Sequence, residues 1–405
     1  MSKVIIDKHI LNVLAFFIFC CCSYFGNTAK LLGLIVLVLI TLFTSSFRIK
    51  LNNYSIIQFL FLLFVLLSYS WSARDSQNLI STLYIFEMVF ATTYLMIWIE
   101  KYSSNGESIV DLIKAFVFST VILSIYIFYS LSRNFSLSFL VNARLGDSFG
   151  MNANEIGIVT ALGTVFCFFL IYKERYRKIY ILFMFLLMII SFLTASRKAL
   201  LMIAVGVLLF KLLYDGEKRV IRNTFILLFS LIVVYYLIIN IKPLYDIVGY
   251  RIETMVNRLF VDSAVTDGSI ELRNYYRLYA IELFKERPFL GWGANGFLTS
   301  IRRVNSDNAA YSHCNYTELL ANYGLIGFLL YYGNKVVLLF NYINKRVFKA
   351  DKISLLLLLL YLLIFALDYG LVSYTNIHIQ IIIVFTVQVY IDSMNNQNKF
   401  VKELT

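Results

Sequence analysis

Apolar runs recur along the whole chain, divided by short polar or charged stretches. Most are about 20 residues long, enough to cross a hydrocarbon core about 30 Å thick as an α-helix. The alternating ten-residue segments of a membrane barrel do not occur. The pattern predicts twelve spans, at roughly 9–25, 29–47, 54–71, 78–99, 109–131, 155–172, 178–194, 198–214, 222–241, 317–340, 353–370 and 374–393. The expected fold is an all-α polytopic membrane protein, one integral-membrane domain over residues 1–405. No linker divides it and no internal repeat is seen.

Two of the segments between runs are long, 132–154 and 242–316. A long loop with structure of its own is usually functional. Within the second, Ile270 to Arg287 contain no helix breaker and Pro288 follows, so a helix is expected there. It puts Arg273 and Arg277 one turn apart on one face. Tyr275, Tyr276 and Tyr279 suit a helix lying at headgroup level. The stretch RIETMVNRLF (251–260) could form a second such helix.

Composition agrees with the pattern: 60% of the 405 residues are hydrophobic and 15% charged. The net charge of +12 sits in loops between apolar runs and lacks the clustering of a nucleic-acid surface. With the N-terminus inside, the inward loops hold 18 Lys and Arg and the short outward loops 6. The positive-inside rule then puts both termini in the cytoplasm and the 242–316 loop outside. Of the five cysteines, four lie in apolar runs as small hydrophobes, and no CxxC spacing supports a zinc site or a disulfide framework. The first apolar run lacks a small-residue cleavage site and is read as a retained helix.

Four polar stretches fall on the outward side: NARLGDSFGMNANEIG (142–157), TASRKALL (194–201), ELRNYYRLYAIELFKERPFLGWGANGF (271–297) and SHCNYTELLANYGLIGF (312–328). Arginine keeps its charge and offers a planar fork of donors suited to phosphate and diphosphate. Arg144, Arg197 and Arg273 are the candidates. Arg144 taken alone reads first as an interfacial anchor. Arg197 stands at an outward helix start, where the macrodipole disfavours a cation and the N-terminal amides favour an anion. His313 is the one outward histidine, placed where a loop enters a span, and a neutral imidazole there could take a proton from a sugar hydroxyl. Glu318 either orients that histidine or caps the helix. The glycines of PFLGWGANGF allow either a phosphate-cradling loop or a tight re-entrant turn. Glu87 and Asp368, at membrane depth, are either proton sites or structural partners.

Taken in order, these stretches resemble the O-antigen ligase and polymerase superfamily of membrane glycosyltransferases. The shared pattern runs from Arg144, Gly150 and the NAN turn through the SR of TASRKALL and Arg273. It continues with the turn RPFLGWG and ends on His313, Tyr316, Glu318, Gly324 and Gly327. It covers roughly residues 142–330; elsewhere only hydropathy agrees. Cys314 stands where the family has asparagine, with Asn315 one place late, and Ala153 replaces the turn proline.

The resemblance implies a GT-C-like helical fold. It implies metal-independent, cofactor-free transfer of a glycan from a polyprenyl-diphosphate-linked oligosaccharide, on the outer face of the bacterial cytoplasmic membrane. His313, Arg197 and Arg273 would be catalytic. Arg144, Arg277, Tyr316, Glu318 and Asn154 would bind substrate. Inversion is expected from a single displacement, because no paired carboxylates are evident for a double one. The departures from the motifs favour a Wzy-type polysaccharide polymerase over a ligase acting on a lipid A core. A lipid-linked glycan transporter is the reading of another class, but no inverted repeat supports it. Donor, acceptor and membrane lipid are the expected partners, with a chain-length regulator implied by the resemblance and no nucleic acid.

Overall fold

The computed structural model describes residues 7–44, 51–73, 76–104, 108–134, 145, 151–214, 268–305 and 309–404. Between 222 and 253 it adds positions 222, 225, 229, 232–233, 235–242, 245–250 and 253. Among the described residues the secondary structure is helical, with no strand. The helices are α1 (Lys8–Cys22), α2 (Asn27–Thr44), α3 (Asn53–Ser68), α4 (Ser76–Ser104), α5 (Ile109–Asn134), α6 (Ala153–Lys173) and α7 (Arg177–Leu193). They continue with α8 (Arg197–Tyr214), α9 (Gly268–Glu286), α10 (Gly296–Val304), α11 (Asn315–Phe328), α12 (Asn334–Asn344), α13 (Lys352–Leu367) and α14 (Ile377–Leu404).

Helices stand where the sequence predicts spans, except at 222–241, of which only scattered positions are described. Among the described residues, seven helical segments are long and apolar enough to cross a membrane: 27–44, 53–71, 78–103, 109–131, 153–173, 315–344 and 377–396. Lys8–Cys22 and Lys352–Leu367 are shorter apolar helices. This is a polytopic helical membrane protein. Many of its large apolar side chains remain exposed, among them Leu67 and Phe340, as expected of surfaces whose solvent is lipid.

The chain forms two compact units. The first comprises Met1–Leu37 and Val110–Thr266. Its centre is α6, packed on α7 and α8. Small residues allow that closeness. A Cβ on Gly163 would stand 2.7 Å from Thr120 Oγ1, and one on Gly157 2.8 Å from Thr194 Oγ1 and 2.9 Å from Ser196 Cβ. Thr160 and Ser191 join α6 to α7 by a buried hydroxyl pair at 2.7 Å.

The second unit comprises Val38–Ile109 and Asp267–Thr405. Here α4 packs on α3 and α14, α13 on α14, and α9 on α11. Helix α9 is amphipathic as its sequence predicts. Tyr276, Ala280 and Leu283 recur at helical spacing and are buried against Phe297, Ile301 and Ala321. Full burial of a side chain such as Tyr276 contributes about 2 kcal/mol.

Helix α11 is broken at Gly324 (φ 61°, ψ −164°). The turn after Pro288 fills the break. The N–H groups of Trp292 and Gly293 donate to the carbonyls of Ala321 and Asn322 at 2.9 and 2.8 Å, and those of Leu325 and Ile326 donate to Pro288 and Phe289 at 2.7 and 3.2 Å. Of the two readings of the glycine turn, the packed one agrees with these bonds, since the amides of residues 292 and 293 are spent on α11. Gly291 and Gly293 adopt φ of +64° and +86°, which only glycine enters freely. After α11 the helix widens into a π turn, Leu329–Gly333, before α12.

Candidate functional site

Within the second unit, three chain segments close on one another: the face of α9, the 311–315 turn and the 368–374 loop. His313 sits in the turn with φ 59°, an uncommon conformation for a residue with a side chain. Its ring lies parallel to that of Tyr276, 6.2 Å away and tilted by 15°. The Tyr311 ring stands 4.1 Å from it, inclined by 48°. Burial pushes the Tyr276 phenol above its ordinary pKa, so it remains a hydroxyl beside the imidazole at neutral pH.

The turn is tied from within. Glu318, buried in the first turn of α11, accepts the Ser312 N–H through Oε2 at 2.6 Å. The Ser312 hydroxyl donates to the Cys314 carbonyl at 2.8 Å. Glu318 and Ser312 together therefore fix the backbone on either side of His313. The cap position, Cys314, makes no side-chain capping bond.

Asn315 joins this turn to the 368–374 loop. Its N–H donates to the carbonyls of Asp368 (2.8 Å) and Leu371 (2.9 Å). Its Oδ1 accepts from the N–H groups of Ser373 and Tyr374 at 2.9 and 3.1 Å. Its Nδ2 donates to Tyr332 Oη at 2.6 Å, and Tyr332 Oη donates to Asp368 Oδ2, also at 2.6 Å. Asp368 is buried; its Oδ2 is held by these bonds, while its Oδ1 is buried without a hydrogen-bond partner among the described residues. The ammonium of Lys335 lies over the Tyr331 ring, 2.9 Å from its centroid.

The loop returns to α9 through Tyr369, whose ring carries the Arg277 guanidinium 4.4 Å above its centroid. Arg277 is further held by Asn274 Oδ1 and, at 3.4 Å, by the Arg273 carbonyl. Arg273 is half-buried, and its guanidinium makes no hydrogen bond or ion pair among the described residues. One arginine of the pair is thus oriented by protein groups, while the other keeps its donors for something else.

Of the residues expected at the site, Arg273, Arg277, His313, Tyr316 and Glu318 lie in this unit. Tyr316 points into the bundle, with its hydroxyl donating to Phe365 O at 2.7 Å and its ring stacked on Tyr332 at 4.8 Å. In the first unit, Asn154 accepts the Ser196 hydroxyl at 3.3 Å, which joins the NAN turn to the SR turn. Arg197 opens α8 there, directly after Ala195 (φ 47°) and Ser196. Arg144, expected to bind substrate, lies outside the described residues, as does nearly all of 251–260.

Sequence reasoning missed Asn315 and Tyr369. Asn315 had been noted only as displaced from the family position. The signal for Tyr369 was an aromatic residue directly after a membrane-depth acid.

The geometry defines a class: an all-helical polytopic membrane protein whose second unit gathers two arginines of α9 and the histidine of the 311–315 turn. Residues 182–332 match the family model for O-antigen ligase. The match takes in the SR turn, α9, the glycine turn and the His313–Gly327 stretch. Over that stretch the chain is similar to the O-antigen ligase/polymerase superfamily, and the match does not distinguish the Wzy-type branch. No curated protein matches the chain.

Proposed function

We propose that this protein is a membrane glycosyltransferase that polymerises polyprenyl-diphosphate-linked oligosaccharide units into O-antigen or capsular polysaccharide. The observation that carries the reading is the closed set of contacts from Tyr276 and Arg277 through Tyr369 and Asn315 to His313, within a chain matched to the O-antigen ligase family.

In the proposed reaction His313 takes the proton of an acceptor sugar hydroxyl. The resulting oxygen nucleophile attacks the anomeric carbon of the donor. The bond to the polyprenyl diphosphate breaks, and the electron pair leaves on the phosphate oxygen. One displacement inverts the anomeric centre. Diphosphate is a competent leaving group, so the enzyme chiefly supplies position and charge. Arg273, with its uncommitted fork, would neutralise the diphosphate beside Arg277. The resemblance carries Arg197, Arg144 and Asn154 to the same donor- and acceptor-binding set. Glu318 would serve it by holding the 311–315 turn, and Tyr316 by tying the start of α11 to α13 at Phe365. The reaction needs no metal in this scheme. It would run on the outer face of the cytoplasmic membrane, with both termini inside and a chain-length regulator as partner. The departures at Cys314 and Ala153 favour the polymerase over a ligase.

The test is transfer by the purified protein in detergent, with native lipid-linked repeat units and with chelator in parallel. Lipid-linked oligomers from the wild type, and none from His313→Ala or Arg273→Ala, are expected. Product that forms only after a lipid A core acceptor is added would make the enzyme a ligase. Movement of the lipid across liposomes without transfer would make it a transporter.

A further inference from the structure

In the reading above, Arg273, Arg277 and His313 of this unit address the diphosphate and the proton, and no residue beside them is given to the sugar. Tyr369 is conspicuous in that respect. It is 64% exposed, yet it follows Asp368, which is 2% exposed. Its loop is anchored through Asn315 by bonds to residues 368, 371, 373 and 374. A large aromatic ring is therefore held outward on a rigid backbone. One face carries the Arg277 guanidinium. Across the same ring of contacts, Tyr311 is 37% exposed and lies 4.1 Å from the imidazole of His313.

A pyranose ring offers an apolar face of C–H groups, and aromatic side chains combine a large apolar surface with a negative π face that attracts such positive edges. Rigid aromatics with a few convergent polar groups are what a polar ligand site requires. The geometry points to Tyr369, with Tyr311 beside His313, as the saccharide-binding platform of this site. It rests on the glycosyl-transfer reading and adds a division of labour: arginines for the diphosphate, tyrosines for the sugar next to it. Tyr369 also fixes Arg277 from one face, so a sugar on the ring stays in register with an anion on the guanidinium.

The experiment uses the full-length protein in detergent with two probes. One is the oligosaccharide released by mild acid from the native lipid-linked repeat unit. The other is inorganic pyrophosphate. Tyr369→Leu should weaken oligosaccharide binding roughly tenfold and pyrophosphate binding by only about two- to fivefold, through the lost cation–π contact. Tyr369→Phe keeps the ring and should recover most of the sugar binding. Arg277→Gln should show the reverse pattern, with pyrophosphate lost more than sugar. Melting temperatures confirm folding in each case.

In transfer assays, KM measured for the acceptor at fixed donor, and for the donor at fixed acceptor, tells which saccharide uses the ring. Unchanged oligosaccharide binding in folded Tyr369→Leu, or none by the wild type, would overturn the platform. The two readings fail separately. Sugar bound on Tyr369 by a protein that transfers nothing defeats only the transferase. Normal transfer by Tyr369→Leu with both KM values unchanged defeats only the platform.

Discussion

Glu318 accepts the N–H of Ser312, six residues back in the chain, at 2.6 Å and out of contact with solvent. The bond spans His313 without touching its ring, so the carboxylate acts on the histidine through the backbone. Glu318→Leu leaves a buried N–H unsatisfied, which costs about 1–3 kcal/mol. A lower melting temperature is expected, together with a loss of kcat that exceeds any change in KM. Glu318→Gln retains an acceptor oxygen and should restore most of both; equal damage from the two variants would refute the positioning role.

Arg273 should separate function from stability. Its guanidinium has no protein partner among the described residues, so Arg273→Gln is expected to melt with the wild type. Transfer should fall by a factor of roughly 10² or more, the usual cost of removing a charge-stabilising donor. Arg273→Lys should recover little, because a point charge does not reproduce the planar fork. Activity restored by lysine would mean that only the charge matters.

Asn315→Leu strips the acceptor from two backbone N–H groups, those of Ser373 and Tyr374. Each unsatisfied group costs about 1–3 kcal/mol if it stays buried. The 368–374 loop should therefore loosen. Faster protease cleavage within that loop, beside a lower melting temperature, is the expected result. An unchanged cleavage pattern would show that the loop is held by other contacts.

Gly324→Ala tests the break in α11. A side chain at φ 61°, ψ −164° is strained by about 1–3 kcal/mol, and its Cβ would meet the carbonyl of Phe289. The variant should fail to accumulate as monodisperse protein in detergent. Gly33→Ala, in α2 of the other unit, would bring a Cβ to 2.7 Å from Cys22 Cβ and 3.1 Å from Phe19 Cα; it adds no positive-φ strain and should be the milder of the two.

The parts legible in the sequence are those that the bilayer enforces. Long apolar runs become helices because hydrocarbon leaves backbone groups no other partner. Helix α9 was legible because nothing interrupts Ile270 to Arg287 and Pro288 ends it. The destination of the amides at residues 292 and 293 was not legible, since it depends on a break at Gly324. Glycine is common in membrane helices, so that residue alone carries no sign of a break. Asn315 and Tyr369 were hidden for a similar reason. Their roles come from a contact between segments more than 50 residues apart in sequence, which no local pattern encodes. Glu318 was flagged, but choosing between its two roles required the Ser312 bond.

The broken α11 also has a consequence for biosynthesis. The segment from Asn315 to Asn344 cannot close its own backbone hydrogen bonds around Gly324, because four of them run to the turn at Pro288–Gly293. A ribosome makes that turn first. The borrowed donors and acceptors therefore already exist when the helix that needs them is inserted. Reversing that order, by circular permutation between residues 305 and 309, would ask the membrane to accept the helix with its break unfilled.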